Sequence, residues 1–380
     1  MQSIASILAV LGLVGAAVAF FTNREEFFQS WLIGFIFCLG LTLGSLGLLM
    51  LQHLSGGQWG FIGRRIFESA AGTVPLMALL FVPILFAMPE LFKWAVPGIT
   101  DKDAVLKAKE AYLNVPFFMV RAVIYFLFWM FLVWMLTKWS SAQDRAEMAL
   151  DPAGVVRFRT VSAPGLLFLV LTITFATTDW VMSLDPHWYS TIFGLMFTAG
   201  FGLSALALTT VTLSAIGPVG AFKGHLAPRH FHDFGKLLLA FTMLWAYLNF
   251  SQFLIIWSGN LPEEIPWYIE RMRGGWGVVA IALIVGHFFL PFLLLLSRDL
   301  KKSKWLPRVA VFILVMRLVD TIFLIGPSWE HHGFPIHWAN VAIPAGLAGV
   351  WLFLFARNLQ QRALMPLNDP YLKEAFHEAH

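Results

Sequence analysis

Residues 31–52 read Trp31-Leu-Ile-Gly-Phe-Ile-Phe-Cys-Leu-Gly-Leu-Thr-Leu-Gly-Ser-Leu-Gly-Leu-Leu-Met-Leu-Gln52 and contain no charged side chain. A helix of about 20 apolar residues spans the roughly 30 Å hydrocarbon core of a bilayer. The rest of the chain has the same character: 58% of its 380 residues are hydrophobic and 13% are charged, against roughly 25% charged residues in soluble domains. The sequence therefore predicts an integral membrane protein.

Ten apolar segments are long enough to cross a bilayer as helices. They run from Ile4 to Phe21, Trp31 to Gln52, Ser69 to Leu91, Val115 to Thr137, Val161 to Met182, Trp188 to Ser214, Phe234 to Trp257, Trp276 to Ser297, Leu306 to Ile325 and His337 to Ala356. A membrane β-barrel would instead show segments of about ten residues in which apolar and polar side chains alternate. No segment does, so we expect an all-α fold with ten transmembrane helices.

Basic residues are concentrated in every second loop. The loops after predicted helices 2, 4, 6 and 8, together with the C-terminal tail, carry 17 Lys and Arg, whereas the other loops carry seven. By the positive-inside rule, both termini are predicted to be cytoplasmic. The net charge of +4 then reflects anchoring to the inner leaflet, and nucleic acid is not a needed partner.

The first helix contains Ala17-Val-Ala19, which has the small-residue spacing of a signal-peptide cleavage site. No Lys or Arg precedes its apolar run, so we predict that it is retained as a membrane helix. Cleavage would leave the topology of the other nine unchanged.

The sequence offers no convincing ligand set for a cofactor or a metal. His287 is the only histidine predicted near mid-bilayer, whereas a membrane b-type haem needs two axial ligands at matching depth. His230 and His232 have a metal-ligand spacing, but a solvated polar loop explains them better. The lone Cys38 can form neither an internal disulfide nor a thiolate cluster. We therefore predict no metal ligands and no catalytic residues.

Five titratable residues interrupt the apolar segments: Arg121, Asp179, His287, Arg317 and Asp320. A Lys, Arg or Asp at the centre of a membrane helix costs about 2.5 to 3.5 kcal/mol on insertion scales, so such residues face a protein interior or a wet cavity. They mark ion, proton or substrate paths, and we take Asp179, His287, Arg317 and Asp320 as candidates for a proton path.

Arg317 and Asp320 lie three residues apart on one face of predicted helix 9, where they can pair. The pair could serve a water-filled proton half-channel, or it could only lock the packing of helices. Both interpretations remain open from the sequence.

Asp179 lies near the end of predicted helix 5, on the same face as Thr172 and beside Thr178, so hydroxyls lead toward a carboxylate as they would in a proton wire. The following turn contains Asp185 and His187, which are weaker candidates for the same path. Asp185 before Pro186 also suits an ordinary turn, and His187 could be an interfacial residue without a transfer role.

Asn249 and Gln252 lie on one stripe of predicted helix 7 with Trp245. An amide in lipid must hydrogen-bond something, which is either a neighbouring helix or a polar ligand head such as a quinone carbonyl. Contact between helices is the favoured interpretation, and quinone contact is a weak second.

Three stretches resemble the F subunit of bacterial alternative complex III. They are Asp179-Trp-Val-Met-Ser-Leu-Asp-Pro-His-Trp-Tyr-Ser-Thr-Ile-Phe193, residues 236–268 with Trp245-Ala-Tyr-Leu-Asn-Phe-Ser-Gln in their middle, and Pro366-Leu-Asn-Asp-Pro-Tyr371. The resemblance covers predicted helices 5 to 10 well, whereas helices 1 to 4 agree mainly in number and length.

That family is similar to the polysulfide-reductase (NrfD-like) membrane subunits, which implies two four-helix bundles with a flanking helix at each end. The expected divisions are residues 1–29 for the first flanking helix and outer loop, 30–187 for helices 2 to 5, 188–335 for helices 6 to 9, and 336–380 for the last helix and the tail.

The resemblance also implies a non-redox subunit of a respiratory quinol-oxidising complex in a bacterial inner membrane. The chain would bind no cofactor itself, would not be catalytic alone, and would supply structural support and proton translocation. Haem c and iron-sulfur clusters belong to expected partners: a multihaem cytochrome c, an iron-sulfur protein, a sister NrfD-like subunit and a terminal oxidase. The quinol site is usually placed in the sister subunit. A quinone-binding name for this chain therefore comes from the family and not from its own residues.

A different class of function uses the same intramembrane charges. An independent ion, proton or solute transporter would often have helices broken at mid-membrane in both halves. Pro75 and Pro83 interrupt predicted helix 3, whereas helices 6 and 7 have no mid-helix proline. The paired signature is missing, which favours the complex subunit.

Overall fold

The computed structural model describes residues 2–145, 152–217, 226–329, 336–366 and 368–369. Within these ranges the chain forms helices and no strands, and ten helical stretches are long and apolar enough to cross a membrane. We call them spans 1 to 10. In order they are Ala5–Thr22, Arg24–Ser55, Gln58–Phe86, Val115–Asp144, Val156–Leu184, Phe193–Ile216, Pro228–Gly259, Trp276–Leu296, Leu306–Ser328 and Ala339–Gln360. The predicted number of helices and the all-α class are confirmed.

The predicted start of the third helix is wrong. Span 3 begins at Gln58 instead of Ser69, and it is built from the helices Gln58–Ala71 and Val74–Phe86 with a break between them. The sequence pattern placed the start too late because two arginines and a glutamate in the first helix look like loop residues. In the structure their charges are buried against each other.

Span 2 also begins earlier than predicted. Its helix starts at Arg24, inside the segment 1–29 that was expected to hold only the first flanking helix and an outer loop. The side chain of Asn23 accepts a hydrogen bond from the Glu26 amide and caps this end, which is a common function of Asn at a helix start.

Two four-helix bundles form the body of the protein. In the first bundle each of spans 2 to 5 contacts the next, and span 5 closes the ring on span 2; spans 6 to 9 form a second ring in the same way. Spans 2 and 6 join the bundles. Their close approach requires Gly44, because a Cβ there would overlap the backbone of Phe201. The two-bundle architecture is therefore present.

Spans 1 and 10 pack against each other and against span 2. At their crossing Gly12 faces Gly346, and a Cβ on either would overlap the backbone of the other. Small residues allow this close approach, in which van der Waals packing drives association in lipid. We call the side on which span 1 begins and span 10 ends the terminal side, and the opposite one the distal side.

A buried ion network lies at the terminal side of the first bundle. Glu68 accepts hydrogen bonds from Arg64 at 3.0 Å, from Arg65 at 2.8 Å and from Arg362 at 3.0 Å, and its side chain is 1% exposed. Ser140 of span 4 donates to the same carboxylate at 2.6 Å. Spans 3 and 4 and the segment after span 10 are thus joined through one carboxylate.

Two further carboxylates complete this network. Asp369 accepts from Arg64 at 2.9 Å and from Gln143 at 3.2 Å, while Asp144 pairs with Arg65. Three guanidinium groups therefore meet three carboxylates, which is the pairing that buried charge requires. We call these six residues the terminal-side network.

Arg64 and Arg65 were counted with the loop charges, and the structure corrects that assignment. Both lie inside a helix and are buried. Without them, the same predicted loops and tail still contain fifteen Lys and Arg against seven in the other loops, and the orientation of the termini stays a prediction.

We expect Glu68→Gln to destabilise the protein strongly. The change leaves buried guanidinium charge without its shared carboxylate, which typically costs about 3 to 5 kcal/mol. The matched control is Glu90→Gln, because Glu90 pairs with Arg24 at 3.0 Å on the exposed surface, where a pair contributes about 0 to 1 kcal/mol. Thermal unfolding of both variants in one detergent checks this, and similar midpoints would contradict the energetic importance of the network.

Candidate functional site

A buried polar cluster lies in the second bundle. Arg317 and Asp320 of span 9 form an ion pair, as their spacing predicted, and both are buried. The indole Nε1 of Trp245, on span 7, donates to the Asp320 Oδ2 at 3.1 Å. The Nε of Arg317 donates to the Ser204 hydroxyl at 3.4 Å. Three spans therefore contribute to one set of hydrogen bonds.

Span 6 makes room for the arginine in this cluster. A Cβ at Gly200 would overlap the Arg317 guanidinium, so only glycine fits there without displacing the charge. This glycine therefore admits a charged group where spans 6 and 9 pack together.

His287 joins the cluster from span 8. The side chain is 0% exposed, and its ring packs against Trp245 with centroids 4.1 Å apart at 59°. Neither ring nitrogen has a hydrogen-bond partner among the described residues. Buried polar atoms are partnered in the great majority of structures, so each exception needs an explanation.

The backbone around His287 is also unusual. Residues Leu283–Phe289 form a π-helical segment within span 8. Pro291 follows, and it has no amide hydrogen to donate to the His287 carbonyl in a regular α-helix. Single π-helical turns occur frequently at functional sites. We call His287, Trp245, Arg317, Asp320 and Ser204 the mid-membrane cluster. Its imidazole and its carboxylate are titratable groups.

Asp179 lies in a different environment, at the distal side of the first bundle. Arg121 binds it with two parallel hydrogen bonds, from Nε at 2.8 Å and from Nη2 at 2.9 Å, and Tyr125 donates to it at 3.0 Å. The Arg121 guanidinium lies between the rings of Tyr112 and Phe117, at 3.9 and 4.4 Å from their centroids. Three hydrogen bonds therefore hold the carboxylate, and aromatic rings pack against the arginine that donates two of them.

The two threonines of the predicted polar stripe do not reach this carboxylate. Thr178 donates to the Thr174 carbonyl at 2.8 Å, and Thr172 donates to the Phe168 carbonyl at 2.8 Å while accepting from Trp129. Both threonine hydroxyls therefore donate to backbone carbonyls of their own helix. A proton path through Asp179 stays a prediction.

Asp185 belongs to a cap over the distal end of the second bundle. It accepts from the Ser328 hydroxyl at 2.7 Å and lies 3.7 Å from an Nη of Arg271. The Arg271 guanidinium lies 3.6 Å from the ring centroid of Trp267, which stacks on Trp188 at 4.6 Å. Burial lowers the pKa of Arg271 to about 10, although Asp185 acts in the opposite direction. The Arg271 guanidinium is therefore still charged at neutral pH.

His187 lies on the distal surface, away from the mid-membrane cluster. Its Nε2 is 2.6 Å from the Asp103 carboxylate, which also caps the short helix Ala104–Lys109. Desolvation raises the pKa of Asp103, but hydrogen bonds from the Leu106 amide and from His187 lower it more, and the result is below the usual value. The contact joins the loop before span 4 to the connection between spans 5 and 6.

The amides of span 7 bond to protein groups. Gln252 accepts from the Ser190 hydroxyl at 2.7 Å and donates to the Tyr268 hydroxyl at 3.2 Å, whereas Asn249 donates to the Trp245 carbonyl at 2.8 Å. These bonds agree with contact between structural elements. Quinone contact at either amide stays a prediction.

Sequence reasoning missed two features of the polar interior. It assigned no partner to Asp179, although Arg121 was recognised as an intramembrane charge and comparable depth would have paired them. It also missed the terminal-side network, for which the three- and four-residue spacing of Arg65 and Arg64 to Glu68 was an available signal.

Neither sequence comparison identifies a relative: no family model matches the chain, and a search of curated proteins finds no match. Within the described residues, no group of three or more His, Cys, Asp or Glu side chains is arranged to hold a metal ion.

We expect Arg317 and Asp320 to compensate for each other. Either single change to Ala leaves a buried charge unpaired, which typically costs about 3 to 5 kcal/mol, whereas replacing both with apolar residues is far milder. Thermal unfolding of Arg317→Ala, Asp320→Ala and the double variant Arg317→Met/Asp320→Leu checks this. The double variant should be more stable than either single one, and additive losses would argue against mutual stabilisation.

Proposed function

We propose that this chain is a cofactor-free membrane subunit of a respiratory quinol-oxidising complex of the alternative complex III type, and that it translocates protons through its second bundle. The resemblance of residues 179–193, 236–268 and 366–371 supports the type of complex. The observation that carries the proton role is His287, a buried imidazole without a hydrogen-bond partner among the described residues, beside a buried Arg317–Asp320 pair.

The mid-membrane cluster has the composition that proton transfer needs. Ionisable residues inside a membrane are costly and are retained where protons or ions move. Asp320 is held by Arg317 and Trp245, whereas the ring nitrogens of His287 make no competing bond with the described protein. His287 is therefore the group that can accept and release a proton without breaking an existing hydrogen bond.

Asp179 is the second candidate and is less suited to repeated titration. Its two oxygens already accept from Arg121 and Tyr125. Protonating it would break a bidentate ion pair, and such pairs are among the strong hydrogen bonds of proteins. We assign it a structural role first and a distal proton role second.

The partners that the proposal requires carry the redox chemistry. A multihaem cytochrome c, an iron-sulfur protein and a sister NrfD-like subunit would hold haem c, iron-sulfur clusters and the quinol site, with a terminal oxidase as electron acceptor. The charge asymmetry of the loops supports a bacterial inner membrane with both termini in the cytoplasm. In this orientation the terminal-side network lies at the cytoplasmic face.

A transporter is the second candidate, and one observation favours it. Each bundle contains an interrupted helix: span 3 breaks between Ala71 and Val74, and span 8 contains the π-helical segment Leu283–Phe289. In transporters built from repeats, such interruptions occupy corresponding helices. Here they are the second helix of one bundle and the third of the other, so the complex subunit remains the better explanation.

We expect an affinity-tagged full-length chain, extracted gently from its native membrane, to co-purify with haem c and iron-sulfur proteins. The chain purified alone should show neither haem absorbance nor quinol oxidation. Absorbance spectra and mass spectrometry of both samples check this. A bound b-type haem in the isolated chain, or transport activity without any partner, would contradict the proposal.

In the intact complex, we expect His287→Phe to leave assembly and quinol oxidation in place while lowering the number of protons translocated per electron. Phenylalanine keeps the contact with Trp245 but cannot carry a proton. Proton release by the complex in liposomes is the measurement, and His232→Gln is the matched control because His232 lies near the start of span 7, more than three turns before Trp245. An unchanged proton-to-electron ratio in an active His287→Phe complex would remove the cluster from the proton path.

A further inference from the structure

An arginine that forms no ion pair with the described residues lies between spans 4 and 5 on the terminal side. The guanidinium carbon of Arg157 is 5.4 Å from the ring centroid of Trp139 on span 4 and 5.3 Å from that of Phe158 on span 5. The two rings meet edge to face at 5.8 Å. Arg157 is thus positioned by an aromatic junction between two helices.

The hydrogen-bonding capacity of Arg157 is not used by the described protein. Its Nε is buried and has no hydrogen-bond partner there, and no ion pair involves this residue. The acids of the neighbouring network are already occupied: Glu68, Asp144 and Asp369 pair with other arginines. Leaving a buried charged donor unpaired is costly, so a ligand oxygen at this position would be stabilised.

A second positive charge and exposed apolar side chains neighbour this junction in sequence, since Lys138 precedes Trp139 and Val156 precedes Arg157. The Lys138 ammonium lies 4.7 Å from the ring centroid of Trp134, one turn earlier on span 4. Trp134 is 56% exposed, and Val156, next to Arg157, is 54% exposed. Tryptophan and basic side chains at the end of a membrane helix mark the level of lipid headgroups.

We propose that this junction binds the phosphate of an anionic phospholipid. Arg157 would donate to the phosphate oxygens, since a planar guanidinium matches their geometry, while Lys138 supplies a second charge and the acyl chains lie along Trp134 and Val156. Basic pockets between membrane helices at the cytoplasmic face recognise such headgroups. Lipid binding at this junction does not depend on the proton role proposed for the second bundle.

The test uses the purified full-length chain, delipidated in detergent and mixed with phosphatidylglycerol or phosphatidylcholine, with retained lipid counted by native mass spectrometry. Wild-type protein should retain phosphatidylglycerol preferentially. Arg157→Gln should weaken that retention about fivefold, the change that about 1 kcal/mol per basic residue near a membrane surface produces. Lys138→Gln should also weaken the retention of phosphatidylglycerol.

Arg159→Gln is the matched control, because Arg159 is an exposed arginine two residues away on the same helix with no aromatic contact described. It should leave retention unchanged. An equal loss from Arg159→Gln, equal retention of phosphatidylcholine, or no effect of Arg157→Gln in a normally folded protein would each overturn the proposal. Inorganic phosphate that displaces the lipid at comparable concentration would identify a site for free phosphate, which also overturns the lipid assignment.

Discussion

The architecture depends on one constraint: a charge placed among membrane helices must find its partner inside the protein. Removing an ion from water costs several kcal/mol, and a partner offsets this only with good geometry. Glu68, Asp179 and Asp320 each meet an arginine in this way. With their hydrogen bonds to neighbouring spans, these ion pairs hold the spans in one relative position. Apolar side chains alone specify that position weakly, because a helix is solvated by lipid as well as by another apolar helix.

The two bundles satisfy this constraint differently. In the first, Arg121 and Tyr125 use both oxygens of Asp179, and aromatic rings enclose the guanidinium. In the second, the Arg317–Asp320 pair has His287 nearby, and that imidazole bonds to nothing in the described protein. One bundle is therefore fixed by its buried charge, whereas the other retains a titratable group that can change state. This difference is the basis for proposing a supporting role for the first bundle and proton exchange for the second.

The number of helices and the Arg317–Asp320 pair could be anticipated, because each follows from a local pattern of length or spacing, whereas the two bundles were expected only from the family resemblance. The start of span 3 could not, since local hydropathy treats Arg64 and Glu68 as exposed and does not register that they neutralise each other. The bidentate bond from Arg121 to Asp179 joins residues far apart in sequence, so their comparable depth in predicted helices 4 and 5 was the one signal that pointed to it. His287 has no hydrogen-bond partner among the described residues because of the side chains that surround it, and a pattern in a single sequence does not show which side chains those are.

The distal cap bears on the proton role proposed for the mid-membrane cluster. On span 7, Gln252 lies two turns beyond Trp245 and bonds to Ser190 and Tyr268, groups that can both donate and accept. Beyond them lies Arg271, whose pKa is lowered to about 10 and which is therefore still positive at neutral pH. A fixed positive charge across a pore opposes the passage of protons and cations. If the second bundle translocates protons as proposed, exchange between the cluster and the distal side would require Arg271 to move away from Trp267 or to be neutralised more fully by Asp185.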